Sequence, residues 1–544
     1  RLRFTSEANR TLARAELVDV PAAHSLAALA WGSFPEADEG ILGRAKHLLM
    51  ANKATASDLI PVVQIEVINE HPRQVRRWLD LLRLHMGNKQ FSERADVFEA
   101  RYAQLYTQLY ITPSTIHLDD IRELAVQADD AFQRGLAAHF KLAHAIRTGH
   151  AKGMVEYGRR WALSISNSHP ILAARMYREI ALAKLRTHQN KAAIRDIRKA
   201  LFLSRKGAET LTETDEKTEV EVSLTGPRKR LSQPEIDAAT TYSAALVYVG
   251  EPDEAAQLCQ TMYRRCHRTG RHRGSAAFLI NRAIALHRLG KRTEAINALA
   301  EARGMQHLHG DNNVFANHAV ISARLAVERA DRAAGRTLLD EAITAGIGTD
   351  DADLLGEAWT CVLDMATQTG DITEARRALS TYGTESAWSP RDHWPAAMAR
   401  WHWARGNLNE AIAATEEKRE GYGGACIQAE RARLLLIRGD REEAIACANA
   451  LLRHPESKQF SELHLFAKLV LGAAQVEPDH TYTRQINATR ESRWVHLYLG
   501  AIHLDAIRRR CRGENVMPLL RQLQARSVDL SHRMYEALAN PKGW

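Results

Sequence analysis

Proline is scarce in this chain, 15 of 544 residues, and aromatic side chains make up only 6%. The first shortage removes the usual helix breaker. The second leaves any core to Ala, Leu, Ile and Val, which are small enough for helices to pack closely. The six cysteines (259, 266, 361, 426, 447 and 511) include no CxxC pair and no zinc-type spacing. Small buried thiols in a reducing cytoplasm are the expectation they support. Cys259 and Cys266, seven apart, share one face of a helix. No apolar run approaches the ~20 residues needed to span a bilayer, and no signal-peptide pattern is visible. GxxxxGK[ST], HExxH, GxSxG and GxGxxG are all absent. Nothing pairs the abundant carboxylates above background. No enzymatic activity, no cofactor and no metal are therefore expected. The net charge of +9 is thin beside 74 basic and 65 acidic side chains, and it reads as a mixed, solvated surface.

At 544 residues the chain exceeds the roughly 250–300 at which one globular core stops growing. A recurrent turn resolves the difficulty. It reads Gly250-Glu-Pro-Asp-Glu-Ala255, Gly290-Lys-Arg-Thr-Glu-Ala295, Ala330-Asp-Arg-Ala-Ala-Gly335, Gly370-Asp-Ile-Thr-Glu-Ala375, Gly406-Asn-Leu-Asn-Glu-Ala411 and Gly439-Asp-Arg-Glu-Glu-Ala444. The steps are 290−250 = 40, 330−290 = 40, 370−330 = 40, 406−370 = 36 and 439−406 = 33. A fixed period of this size marks stacked helical repeats, in which each unit packs only on its neighbours. Before Gly290, residues 276–289 place Leu279, Ala283, Leu286 and Leu289 on one helical face. Gly290 supplies the backbone freedom that ends the helix, and the next helix buries Ala295, Leu299 and Ala302.

These residues resemble tetratricopeptide (TPR) repeats. Ala283, Gly290, Ala295 and Ala302 match the family's small first-helix residue, turn glycine and two later alanines. The next repeat keeps Ala323, Gly335 and Ala342. The one after it keeps Trp359 and Ala375 but carries Leu363 and Tyr382 at two usually small positions. Ala181, Ala193 and Ala200 match around a turn at His188, and a weaker match surrounds Gly149. The common TPR length is about 34 residues. A 40-residue step implies longer helices or connections, similar to the superhelical domains of some adaptor proteins and of large bacterial transcription activators. The resemblance implies an all-α, right-handed superhelical solenoid of antiparallel helix hairpins.

The expected organisation is an irregular helical region over 1–144, the TPR-like solenoid over 145–456, and a C-terminal helical capping region over 457–544. Residues 207–233 interrupt the solenoid as a polar insertion, within which Glu219–Leu224 alternates like a short ribbon. Residues 71–84 and 92–109 look like one more hairpin. The capping region is expected to hold helices over 462–475, 491–512 and 516–538 without the turn signature. The chain opens on Arg1 rather than Met, and further sequence upstream is expected.

In TPR-like stacks the first helices line a concave groove, and the resemblance implies that the residue after the small one faces it. That place holds Ala244, Ile284, Arg324, Asp364, Arg400 and Arg433. Repeated guanidinium groups would suit a carboxylate-rich partner segment. The same arginines could instead pair with neighbouring acids such as Glu328, Asp364 and Glu430. Trp401 and Trp403, with Trp388, Trp394, His393 and His402 nearby, are candidate interface anchors or fillers between helices. The basic runs 264–273 and 508–512 offer phosphate contacts or simply complement helix dipoles. His307, His309 and His318 with Asp311 are a weak metal signal. The sequence therefore reads as a non-catalytic scaffold or adaptor. Arg324, Asp364, Arg400, Arg433, Trp401 and Trp403 are its candidate partner-binding residues. Two alternatives stay open: a sensor or regulatory domain of a larger signalling or transcription-regulating protein, which a P-loop upstream of Arg1 would favour, and a nucleic-acid-binding protein.

Overall fold

A computed structural model describes residues 115–148, 153–186, 189–208, 233–268, 272–309, 312–349, 352–382, 394–416, 421–453, 461–474, 479–491, 495–530 and 532–539, with isolated helical positions between 44 and 109. The insertion beyond Ala208, its ribbon, the hairpin loop near 87–91, Gly149, Trp388 and His393 lie outside the described residues. The helices are α1 (Leu118–Gln127), α2 (Ala131–Arg147), α3 (Met154–Ile165), α4 (Pro170–Arg186), α5 (Asn190–Ala208), α6 (Gln233–Val249), α7 (Pro252–Arg268) and α8 (His272–Arg288). Then come α9 (Arg292–His309), α10 (Asn312–Glu328), α11 (Arg332–Thr349), α12 (Ala352–Thr369), α13 (Ile372–Tyr382), α14 (Trp394–Ala404) and α15 (Leu408–Ala413). Last are α16 (Gly421–Arg438), α17 (Arg441–Arg453), α18 (Ser461–Ala473), α19 (Asp479–Glu491), α20 (Val495–Cys511), α21 (Met517–Asp529) and α22 (Arg533–Leu538). No strand occurs among the described residues.

Two compact units are present, residues 1–144 with 167–172, and residues 145–166 with 173–544. In the first, Phe98, Tyr102 and Tyr106 stack at 6.1 and 5.9 Å, and Tyr102 meets Phe140 edge-on at 6.2 Å. Such aromatic pairs add to the apolar area they bury. Asp120 accepts the His117 backbone N–H at 3.0 Å at the start of α1 and also pairs with Arg101.

The second unit repeats one hairpin joint. At Gly250, Gly290, Ala330, Gly370, Gly406 and Gly439 the backbone turns left-handed, with φ between 57° and 103°. The next N–H then reaches back five residues in every case. Glu251 bonds Leu246 at 2.8 Å, Lys291 bonds Leu286 at 2.9 Å, Asp331 bonds Ala326 at 2.9 Å, and Asp371 bonds Ala366 at 3.0 Å. Asn407 bonds His402 and Asp440 bonds Leu435, both at 2.9 Å. This Schellman closure satisfies carbonyls that the ending helix would otherwise leave open. The small residues then decide how closely the two helices approach. Ala283, Ala295, Ala302, Ala323, Ala342, Ala375 and Ala444 are all fully buried.

First helices pack on first helices in an unbroken row: α6, α8, α10, α12, α14, α16, α18 and α20. Second helices pack on their own hairpins and, at α7, α9, α11, α15, α17 and α19, on the following first helix, while α13 meets α14 through the edge-on Tyr382–Trp394 pair at 4.6 Å. The second unit is a TPR-like helical solenoid. It coils far enough for α6 to touch α16 and for Arg292 to pair with Glu462, 170 positions away.

Two expectations for the C-terminal region need correction. The turn signature does occur there: Gly513 is left-handed at φ 71° and Glu514 N–H closes on Arg509 at 3.0 Å. Met517-Pro518 stands there in place of the usual alanine. The expected helix over 516–538 is two helices, α21 and α22, separated around 530–532.

Candidate functional site

The row of first helices carries a ladder of charged and polar side chains. On α8, Asn281 donates to the Thr240 carbonyl at 3.0 Å and to Ser243 Oγ at 2.9 Å on α6. His287 lies 2.9 Å from both Glu328 oxygens, and Arg292 Nε donates to Glu328 at 3.0 Å. Arg324 meets Glu357 at 2.8 Å. Arg400 grips Asp364 with Nε and Nη2 at 2.7–2.9 Å and extends Nη1 to Glu430 at 2.9 Å. Glu430 in turn accepts from Arg433 and from the His496 ring, the latter at 3.2 Å. Three cationic or polar groups thus converge on one carboxylate. Burial works against its charge, but Arg433, His496 and Arg400 hold Glu430 well below the usual carboxylate range. Glu328 is held low by His287 and Arg292 against the same burial. Burial lowers His287 and His496 to about 4, only partly offset by their glutamates.

The far end of the ladder is closed by the chain itself. Arg433 Nη1 donates to Tyr535 Oη on α22 at 2.8 Å, and Tyr535 Oη donates to the His496 carbonyl at 3.2 Å. The Arg433 guanidinium lies 4.1 Å from the centre of the Trp403 ring, and Tyr535 meets the same ring edge-on at 6.1 Å. Neither Arg433 nor Tyr535 is exposed at all. Through these contacts α22 rests against α12 and α14 on the inner side of the row.

Beside α22 the inner face opens into a cavity of about 70 Å³, bounded by Arg324, Asp364, Arg400, Glu430, His496 and His532 among others. The volume admits several waters or one small polar side chain. Every helix that bounds it is a first helix or α22. Three of the expected residues, Arg324, Asp364 and Arg400, thus share one cavity. Arg433 lies behind it, while Trp401 and Trp403 are buried at 5% and 4% exposure. Trp401 faces the core of the α10–α14 hairpins and Trp403 that of the following ones. Ala244 and Ile284, the first two rungs, are half-buried.

No protein-family model matches this chain. No curated protein matches it either. Solved structures do. A Rap protein complexed with competence and sporulation factor aligns over 75% of this chain and 99% of its own, at 10% identity and a TM-score of 0.46. NprR in complex with its cognate peptide NprX aligns over 66% of this chain and 95% of its own, at 12% identity and a TM-score of 0.45. Aspartyl phosphate phosphatase F from Bacillus subtilis aligns over 74% and 95%, at 8% identity and a TM-score of 0.36.

The remaining candidates are dispersed. In the basic run near 510, Arg508 is buried, donates to the Gly472 carbonyl and lies 4.4 Å from the Tyr482 ring centre, and Arg509 pairs with Asp505 at 3.4 Å. In the run near 265, Cys266 is buried and the His267 ring lies tilted against Tyr263, 5.6 Å between centres. His318 Nε2 bonds the Leu299 carbonyl at 2.9 Å. Among the described residues no group of three or more His, Cys, Asp or Glu could hold a metal ion. All six cysteines are free, and burial pushes Cys259 and Cys361 up to about 12. No described helix is long and apolar enough to cross a membrane. Sequence reasoning missed His496, Tyr535 and the Arg292–Glu462 pair, whose only signal is a coiling that no local pattern encodes.

Proposed function

We propose that this chain is a non-catalytic, cytoplasmic interaction module that binds a segment of a partner protein along the inner face of its solenoid. The observation that carries the reading is α22: the inner face already accommodates one short helix, held by a buried tyrosine and flanked by an open cavity. A preformed surface avoids much of the ordering cost of association, and helix-in-groove docking is a recurrent mode of recognition. Arg324, Asp364 and Arg400 are assigned to direct contact with the segment. Arg433, Trp401 and Trp403 are assigned to the wall that shapes its site. Non-catalytic action is favoured because the carboxylates here are engaged in charge-assisted pairs rather than poised as acids or bases.

A regulatory version of the same reading is favoured by the position of α22, which touches both the cavity and two first helices. A segment entering the cavity would press on α22 and shift how the C-terminal hairpins sit. The test is a pull-down from lysate of the source cells with nuclease treatment, comparing wild type with Ala244→Glu/Ile284→Glu. These substitutions load the half-buried inner rungs without breaking an ion pair. A discrete protein retained by wild type and lost by the variant supports the proposal. Equal recovery contradicts it, and material that disappears with nuclease favours nucleic-acid binding.

A further inference from the structure

The charged residues that bound the inner cavity are all engaged. Arg324 meets Glu357 at 2.8 Å, Glu328 meets Arg292 at 3.0 Å, and Arg400 holds Asp364 at 2.7 Å and Glu430 at 2.9 Å. The hydroxyls of Thr360 and Thr367 donate to the Gly356 and Leu363 carbonyls of their own helix, each at 2.8 Å. Two polar side chains that line the cavity differ. His532 is only 1% exposed, yet neither Nδ1 nor Nε2 has a hydrogen-bond partner among the described residues. Its ring is held in place, stacked on the His496 ring at 6.2 Å and tilted against Tyr535 at 5.0 Å, while its backbone N–H is tied to the Ser527 carbonyl at 2.7 Å. Gln368, half-buried at the end of α12, lines the same cavity, and its carboxamide bonds to no described residue.

Buried polar atoms without partners cost free energy. Burial above all keeps the His532 ring uncharged, so it offers one N–H donor and one bare nitrogen as acceptor. We propose that the cavity is a receptor for the side-chain carboxamide of an Asn or Gln on the partner segment, bonded by His532 and Gln368. The inference rests on the inner-face reading above and names the side chain that enters. Three features favour that group. A carboxylate or an ammonium group would meet no uncommitted counter-charge, since the acids and arginines of the cavity already face one another. A carboxamide carries both an acceptor oxygen and a donor NH2, so it can answer an uncharged imidazole in either tautomer and a second carboxamide as well. Size points the same way: a hydroxyl occupies little more than one water, ~30 Å³, of the 70 Å³ available. The methylenes behind the carboxamide would pack on Val327, Leu463, Phe466 and Met534, which supply the apolar part of the lining.

The experiment is a saturation-transfer NMR titration of the full chain with three small probes. Propionamide reproduces a glutamine side chain as far as its β carbon; propionate puts a charge in its place; butanone keeps the carbonyl and lacks the NH2. The proposal expects propionamide to bind about tenfold or more tightly than either of the others, the loss that an unmet hydrogen bond brings. His532→Phe keeps a ring against His496 and Tyr535 and removes both nitrogens. It should abolish the preference for propionamide. Because neither nitrogen bonds within the fold, it should also unfold at the same or a higher temperature than wild type, so lost binding would not reflect lost structure. Gln368→Leu changes a half-buried side chain without touching α22. It should weaken propionamide by about tenfold, and it carries the test where His532→Phe does not fold. Undiminished binding of propionamide by a folded His532→Phe overturns the proposal, as does tighter binding of propionate than of propionamide by wild type. Failure of all three probes, which leaves the cavity to water, overturns the receptor; if Ala244→Glu/Ile284→Glu nevertheless loses its partner, the inner-face reading stands. Binding of propionamide beside equal recovery in that pull-down overturns the partner segment as the source of the carboxamide.

Discussion

Arg433 Nη1 donates a 2.8 Å hydrogen bond to Tyr535 Oη, joining the inner helix α16 to the short helix α22 across 102 positions of sequence. Both side chains are fully buried, so the bond is shielded from water and involves a charged donor. Tyr535→Phe leaves the ring in place and removes the hydroxyl. Buried bonds to charged groups contribute about 1.5–3 kcal/mol. The substitution should lower stability by about that amount and speed amide hydrogen exchange across Arg533–Leu538 while exchange in α8 and α10 stays unchanged. Uniform acceleration throughout the unit would show that α22 is not separately held by this bond.

Glu430 is the acceptor shared by Arg400, Arg433 and His496. Glu430→Gln keeps the shape and removes the charge, leaving the buried Arg433 guanidinium without its carboxylate while Arg400 keeps Asp364. Breaking a buried pair from one side costs about 3–5 kcal/mol. Thermal unfolding should report a loss of that size. A loss under ~1 kcal/mol would mean that water reaches the cluster and screens it.

Stability should fall in mild acid. His287 and His496 titrate near 4 in the folded protein and His503 near 3, against 6.5 for an ordinary ring, with burial as the leading cause for all three. The unfolded chain binds protons at these rings below about 6.5, whereas the folded chain does not until about 4. Stabilisation present above 6.5 is therefore lost as pH falls across that interval, by roughly 3 kcal/mol per ring at most. Unfolding temperatures measured from pH 7.5 to 4 test this. A flat profile between 6.5 and 4 would contradict the burial of these rings.

One turn of six departs from glycine. Ala330 holds φ 57° where its equivalents are Gly250, Gly290, Gly370, Gly406 and Gly439. A left-handed alanine costs about 1 kcal/mol. Ala330→Gly should raise the unfolding temperature, and Gly290→Ala should lower it by a similar amount in free energy. Stabilisation by both substitutions, or by neither, would remove backbone strain as the reason glycine recurs at these joints.

Much of this architecture was legible because the turn imposes residue identity. A left-handed residue selects Gly, and the tight crossing after it selects Ala at 295, 375, 411 and 444. Where one half of that pair is missing, as at Gly513 with Pro518 behind it, the turn forms but the pattern does not announce it. The break falls between Asp529, the last residue of α21, and Arg533, the first of α22, and neither Leu530 nor His532 at its edges is glycine or proline. The site divides in the same way. Arg324, Asp364, Arg400 and Arg433 fall at one position of successive repeats, so their shared face could be read from spacing alone. Their bonding could not. Tyr535, His496 and Glu462 reach them only because the hairpins coil, and that coiling sums small rotations over the whole unit.

A protein segment that docks on the inner face would lie within reach of the side chains of the first helices. Site-specific photo-crosslinking tests that docking most directly, with a benzophenone side chain placed at Ala244 on the inner row or at Gln257, which is exposed on α7. Irradiation in native cells should give a discrete, nuclease-resistant protein adduct from position 244 and none from position 257. Adducts from 257 alone, or equal adducts from both positions, would contradict the inner face as the working surface.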